Sequence, residues 1–117
     1  MRLSRTGDIR RVFQSGLKIS NAYVTIRARR RTVRTPRLAL AVAKKHVASA
    51  VKRNRIKRVT RESFRRSAVI LAGLDVVVVS RPGIEAADKA TLRRTLDAEW
   101  PRLRDEVRLA ANRRPTR

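Results

Sequence analysis

Cysteine is absent from this 117-residue chain, so it has neither a disulfide framework nor a thiolate metal site. Acids are scarce, with nine Asp and Glu against 31 Lys and Arg. Histidine occurs once, at His46. A protein-based hydrolase needs a nucleophile with its base, or carboxylates that hold a metal. The sequence presents neither arrangement, and no glycine-rich loop follows a strand to cradle a phosphate. We assign no catalytic residue and no protein metal ligand. His46, beside Lys44 and Lys45, reads as a surface or structurally satisfied histidine. The aromatics are Phe13, Tyr23, Phe64 and Trp100, too few for a sheet that stacks bases in rows. Apolar runs are short. None of them, Val76–Val79 included, can cross a bilayer, and the N-terminal residues lack the apolar run of a signal peptide. A soluble, cytoplasmic protein without a membrane partner is expected.

What is abundant is positive charge, at +22 overall with a pI near 12.0. Such a field destabilises the compact state through self-repulsion. An anion that binds the folded form should therefore stabilise it. Nucleic acid is the first partner class this implies, and a membrane surface is the second. The length suits one domain over residues 1–117, and the 42% apolar content suffices for a modest core.

The pattern of elements predicts an α+β fold in the order α-β-β-β-α-β-α. Thr6 is the expected cap of a helix running to about Ser15, with Asp8 in its first turn and Gly16 closing it. Lys18–Ser20 is a very short strand, and Tyr23–Ala28 alternates as a strand should. Arg37–Ala43 is nearly all apolar and is expected at the centre of the sheet. Asp75–Ser80 reads as a strand buried on both faces, followed by a turn at Arg81-Pro82-Gly83. A long helix begins near Ala86. Pro101 predicts a kink or break near Trp100, and residues 112–117 are expected to fray. The acids of this last region, interleaved with arginines, read as ordinary helix-surface pairs.

The most informative stretch is Val51–Arg66, VKRNRIKRVTRESFRR, with Ser49 as its N-cap. On a period of about 3.6 residues, Ile56, Val59, Thr60, Ser63 and Phe64 share one face. Asn54, Arg58, Arg61 and Arg65 share the opposite one, flanked by Arg55, Lys57 and Arg66. Val51 lies off the apolar arc. From Lys44 to Arg66 there are ten basic residues and a single acid, Glu62. Structured RNA is the leading partner for such a rod. DNA is a rival, although the apolar face ties this helix to a core along one side and no dimerising zipper is present. A basic structural protein of the ribosome would share the size and charge. Trp100 is expected in the core. Phe13 and Tyr23 are candidates for touching a single-stranded segment.

The block from Arg37 to Arg65, RLALAVAKKHVASAVKRNRIKRVTRESFR, resembles the signature region of the bacterial ribonuclease P protein component. Arg53-Asn54-Arg55 followed by Ile56-Lys57-Arg58 looks like that family's RNR motif. The Asp8–Phe13 helix and Asp75–Ser80 with its turn fit as well. The resemblance implies a four-stranded mixed sheet packed by helices, with a left-handed β-α-β crossover in place of the usual right-handed one. It implies the protein subunit of an endonuclease whose RNA is catalytic and which removes the 5′ leader from precursor tRNA. One protein is expected per catalytic RNA. Lys44, Lys45, Lys52, Arg53, Asn54, Arg55, Lys57, Arg58, Arg61 and Arg65 would contact RNA. A cleft between the first helix and the sheet would hold the leader, lined by Phe13 with Tyr23 or Ile26. Ile9 stands where similar proteins often carry an aromatic. Mg²⁺ would be held mainly by RNA phosphates, since the protein lacks a carboxylate cage, and no organic cofactor is implied.

Overall fold

The computed structural model describes residues 2–112. Helix α1 (Thr6–Ser15) precedes a hairpin of β1 (Leu17–Ser20) and β2 (Val24–Arg30). Strand β3 (Arg37–Ala41), helix α2 (Ala50–Arg66) and strand β4 (Leu74–Ser80) follow. A 3₁₀ turn over Pro82–Ala86 then leads into helix α3 (Lys89–Asn112). The element order and the mixed sheet are those expected from the sequence.

The strands lie in the order β1-β2-β4-β3. β2 pairs antiparallel with both β1 and β4, while β3 runs parallel to β4, with Arg37 opposite Asp75 and Leu40 opposite Val78. Side chains alternate across a strand, so each face carries its own core. Ile19, Val24, Ile26, Ala28, Val76 and Val78 pack against Val59 and Phe64 of α2 and Leu92, Leu96, Trp100 and Leu103 of α3. On the other face Val77 packs with Val12 of α1 and with Leu3. Two helices cover one side, and α1 partly covers the other.

β3 is at the edge of the sheet, not at its centre as its apolar composition suggested. The central place belongs to β4, whose residues from Leu74 to Val78 are all buried. Apolarity reports burial of side chains and not a strand's place in the sheet: Leu38 is buried and Leu40 packs against the core, while Ala41 at the end of β3 is exposed. Thr6 does not cap α1: the cap position is Arg5, which makes no side-chain capping bond. Gly16 does close the helix, but through close approach and not a left-handed turn. Its φ is −80°, and a Cβ there would stand 2.3 Å from the Val12 carbonyl oxygen and 2.8 Å from that of Ala28.

α3 continues past Pro101 to Asn112 without the expected break. Proline removes one helical N–H, but Trp100 and Leu103 on either side of it are fully buried, and tertiary packing holds the helix together. The helix begins later than the sequence indicated, because Asp88 caps it: Asp88 Oδ1 accepts the Thr91 N–H at 2.7 Å. That bond holds the Asp88 carboxyl below its ordinary range. A depressed folded-state value stabilises above the unfolded one and is lost as pH falls through the folded one. Asp88→Ala should therefore lower stability at neutral pH, with the difference from the wild type shrinking as pH falls below the ordinary carboxylate range; urea melts across that range check it. The tail beyond Asn112, expected to fray, lies outside the described residues.

Candidate nucleic-acid interface

Helix α2 has the two faces its periodicity predicts. Ser49 Oγ accepts the Lys52 N–H at 3.3 Å and starts it. Val59, Thr60, Ser63 and Phe64 are buried and Ile56 is half-buried. Thr60 satisfies its hydroxyl on the Ile56 carbonyl at 2.8 Å. The Trp100 indole N–H donates to Ser63 Oγ at 2.8 Å, and Ser63 in turn donates to Asp97. Phe64 and Trp100 meet edge to face, with centroids 5.7 Å apart. Trp100 is thus a core residue, as expected.

On the outer face Asn54, Arg55, Arg58, Arg61 and Arg65 are exposed and Lys57 is half-buried. None of these six side chains makes a hydrogen bond or ion pair with the described chain, and the same holds for Lys44 and Lys45 in the turn after β3. A cation with no partner in its own fold pays no exchange penalty when it meets a phosphate. Val51, off the apolar arc, is exposed.

Two members of the basic set have internal partners. Lys52 Nζ lies 4.0 Å from Glu85 Oε2, an exposed and weak pair. Arg53 is more committed: its Nη1 donates to the carbonyls of Val47 at 3.0 Å and Ala48 at 2.7 Å. Arg53 therefore ties the loop before α2 to the helix, a role its sequence context did not reveal. His46 Nδ1 is 2.8 Å from Ser80 Oγ, which also accepts the Ala43 N–H at 2.9 Å. The histidine fastens the same loop to the end of β4, in keeping with its structural reading.

The proposed leader cleft is composed differently from expectation. Phe13 is exposed on α1, and the Arg27 guanidinium sits 5.0 Å from its ring centroid, within cation–π range. Ile26 is fully buried in the core beneath α2 and α3, on the opposite face of β2 from Arg27. It cannot line a cleft with Phe13. Tyr23 is half-buried and packs against that same core. The residue that stands beside Phe13 is Arg27, and strict alternation along β2 was the signal that could have found it. Thr25 shares its face, and its Oγ1 is 3.2 Å from Ser20 Oγ on β1.

The α1 side of the sheet is anchored by a buried carboxylate. Asp75 accepts a fork from Arg37, with Nε at 2.8 Å and Nη2 at 2.6 Å. Arg37 Nη1 also reaches Asp8 at 3.4 Å, so β3, β4 and the first turn of α1 share one network. The hydrogen bonds to Asp75 hold the Arg37 guanidinium above the ordinary arginine range, against an opposing effect of burial. Arg31 Nε lies 2.9 Å from Asp75 Oδ1 but aims its N–H at no acceptor. Arg37→Ala should thus leave the carboxylate under-satisfied and cost about 1–3 kcal/mol, measurable by urea unfolding, with Arg37→Lys recovering only part.

The acids near the C-terminus do more than pair on a helix surface. Glu99 is buried and accepts Asn21 Nδ2 at 2.7 Å. Asn21 Oδ1 receives the N–H groups of Tyr23 and Val24, so the β1–β2 turn is clamped to α3. Among the described residues no three of His, Cys, Asp and Glu gather where they could hold a metal ion. No described helix is long and apolar enough to cross a membrane.

Comparison with known proteins agrees with this geometry. The family model for ribonuclease P matches residues 1–104. The ribonuclease P protein component of Nitrosococcus oceani is 41% identical over 100 residues, covering 86% of this chain and 84% of that protein. Its counterpart in Pasteurella multocida is 46% identical over 99 residues, with 85% and 81% covered. The solved structure of the Thermotoga maritima RNase P protein superimposes with a TM-score of 0.75 at 31% identity, covering 87% of this chain and 96% of that one. With a row of unpaired arginines on the outer face of α2, an α+β sheet of matching topology and relatives at this level, the chain belongs to the ribonuclease P protein component family and is a protein subunit of that ribonucleoprotein.

Proposed function

We propose that the chain binds the catalytic ribonuclease P RNA through α2 and the turn before it, and the 5′ leader of precursor tRNA through the α1 side of the sheet. The holoenzyme would then hydrolyse the phosphodiester bond that joins leader to tRNA. The observation that carries this reading is the set of unpaired cations on α2, Arg55, Lys57, Arg58, Arg61 and Arg65, backed by Lys44 and Lys45. These groups screen phosphate repulsion between two RNAs, which strengthens substrate binding without contact to the scissile bond. Mg²⁺ is held by RNA phosphates, whose oxygens suit a hard cation. The leader lies against Phe13 and Arg27, where the ring offers a stacking face and the guanidinium a phosphate contact. The family's left-handed crossover for β3-α2-β4 and a ratio of one protein to one RNA belong to the same reading.

The test is reconstitution. Protein, catalytic RNA and precursor tRNA are combined at low Mg²⁺, and 5′-leader release is followed against RNA alone. Faster release with the protein is expected. Stable incorporation into ribosomal subunits with no effect on processing, or tighter binding to duplex DNA than to folded RNA at matched salt, would contradict it.

A further inference from the structure

The open edge of β3 carries a second feature. Leu38 uses its outward carbonyl to accept the Leu3 N–H at 3.0 Å, beside an isolated bridge to Arg2. Backbone groups alternate sides along a strand, so Leu40, two residues on, also points its N–H and C=O outward. Neither group has a partner among the described residues, which is the unpaired state of an exposed sheet edge. Beside this edge lies an open groove of about 1020 Å³. Its floor includes Leu38, Leu40 and Phe64, and its rim carries Arg2, Arg61 and Arg65. The three arginines are exposed and have no hydrogen bond or ion pair to the described chain. No acid lines the groove.

We propose that this groove seats a single-stranded segment of the RNA partner, with bases on the apolar floor and phosphates between Arg2 and the Arg61–Arg65 pair. The proposal rests on the RNA-binding reading of α2 and extends it around the helix to the sheet edge. Continuity favours RNA as occupant: Arg61 and Arg65 belong to the outward row of α2, so a strand lying along that helix leads into the groove. Charge complementarity agrees, since guanidinium groups both pair with phosphate and stack on bases. Leu40 presents a donor and an acceptor side by side, which suits the free edge of an unpaired base. A duplex keeps those base edges turned inward. An extended acidic peptide could pair with the same backbone groups, but it has no reason to follow the arginine row of α2.

The experiment is amide hydrogen exchange at Leu40 in the full chain, read by NMR, with an unstructured oligoribonucleotide of roughly ten nucleotides, the scale of one single-strand site. Binding is followed in parallel by titration. Slowing of Leu40 exchange by tenfold or more on saturation, absent with an RNA duplex, is the expected result. Arg2→Ala should lower the salt slope of single-strand binding by about 0.7, the share of one phosphate contact. Tight binding of the oligonucleotide with no protection of Leu40 overturns the groove proposal and leaves α2 as the RNA surface. Failure of any RNA to bind overturns the RNA reading itself. Protection by a poly-glutamate peptide but not by RNA assigns the edge to a protein strand, and protection that grows with protein concentration alone assigns it to a second copy; both overturn the proposal.

Discussion

Phe64→Ala lowers the unfolding free energy by about 3–5 kcal/mol, the usual cost of truncating a buried phenylalanine. The ring is 2% exposed and meets Trp100 edge to face, a contact that adds about 0.5–1.5 kcal/mol beyond area burial. The lost ring also opens the layer between α2 and α3, where Trp100, Ser63 and Asp97 are joined by hydrogen bonds. Small domains have about 5–15 kcal/mol in total, and a charge of +22 places this one toward the lower end by self-repulsion. The variant should therefore be largely unfolded in dilute buffer and recover structure when a polyanion is added. Circular dichroism melts with and without RNA or phosphate check this. A melt unchanged from that of the wild type would show that the apolar face of α2 is not part of the core.

Arg58→Ala has the opposite signature. The side chain is exposed and has no partner in its own fold, so stability should stay within about 0.5 kcal/mol of the wild type, as for ordinary surface changes. Its effect falls on assembly. If RNA neutralises about 6–10 of the basic groups, affinity drops roughly 10³–10⁵-fold between 50 and 200 mM salt. Removing one contact should weaken binding at every salt concentration and lower the slope of log K against log salt by about 0.9 for a helical RNA face, taking the duplex value. Arg53→Ala separates two roles. Because Arg53 donates to Val47 and Ala48, its loss should reduce folding stability as well as RNA affinity, unlike Arg58→Ala. Equal losses of folding and binding in all three variants would refute the two-faced helix.

Much of this was legible in the sequence. The 3.6-residue period of α2 separated Val59, Thr60, Ser63 and Phe64 from Arg58, Arg61 and Arg65 correctly, because one helix can hide only one stripe. The run of four valines located β4 because burial on both faces leaves no room for polar alternation. What failed did so where local pattern lacks the information. Strand order is set by which partners meet in three dimensions, so β3 looked central and sits at the edge. Pro101 predicted a break from local backbone chemistry, and the buried Trp100 and Leu103 overrode it. The Arg53 and Asn21 ties depend on loop carbonyls and a carboxylate brought close only by folding. The assignment of Ile26 to the leader cleft failed for a simpler reason: in a strand with period two, Ile26 and Arg27 face opposite ways, and the alternation pointed to Arg27.

The division of labour between protein and RNA is tested most directly by incubating RNA-free, purified protein with precursor tRNA and Mg²⁺, then adding the catalytic RNA to the same mixture. No cleavage before the addition and release of the 5′ leader after it is the predicted outcome. Cleavage by the protein before any RNA is added, surviving removal of trace nuclease and nucleic acid, would contradict it.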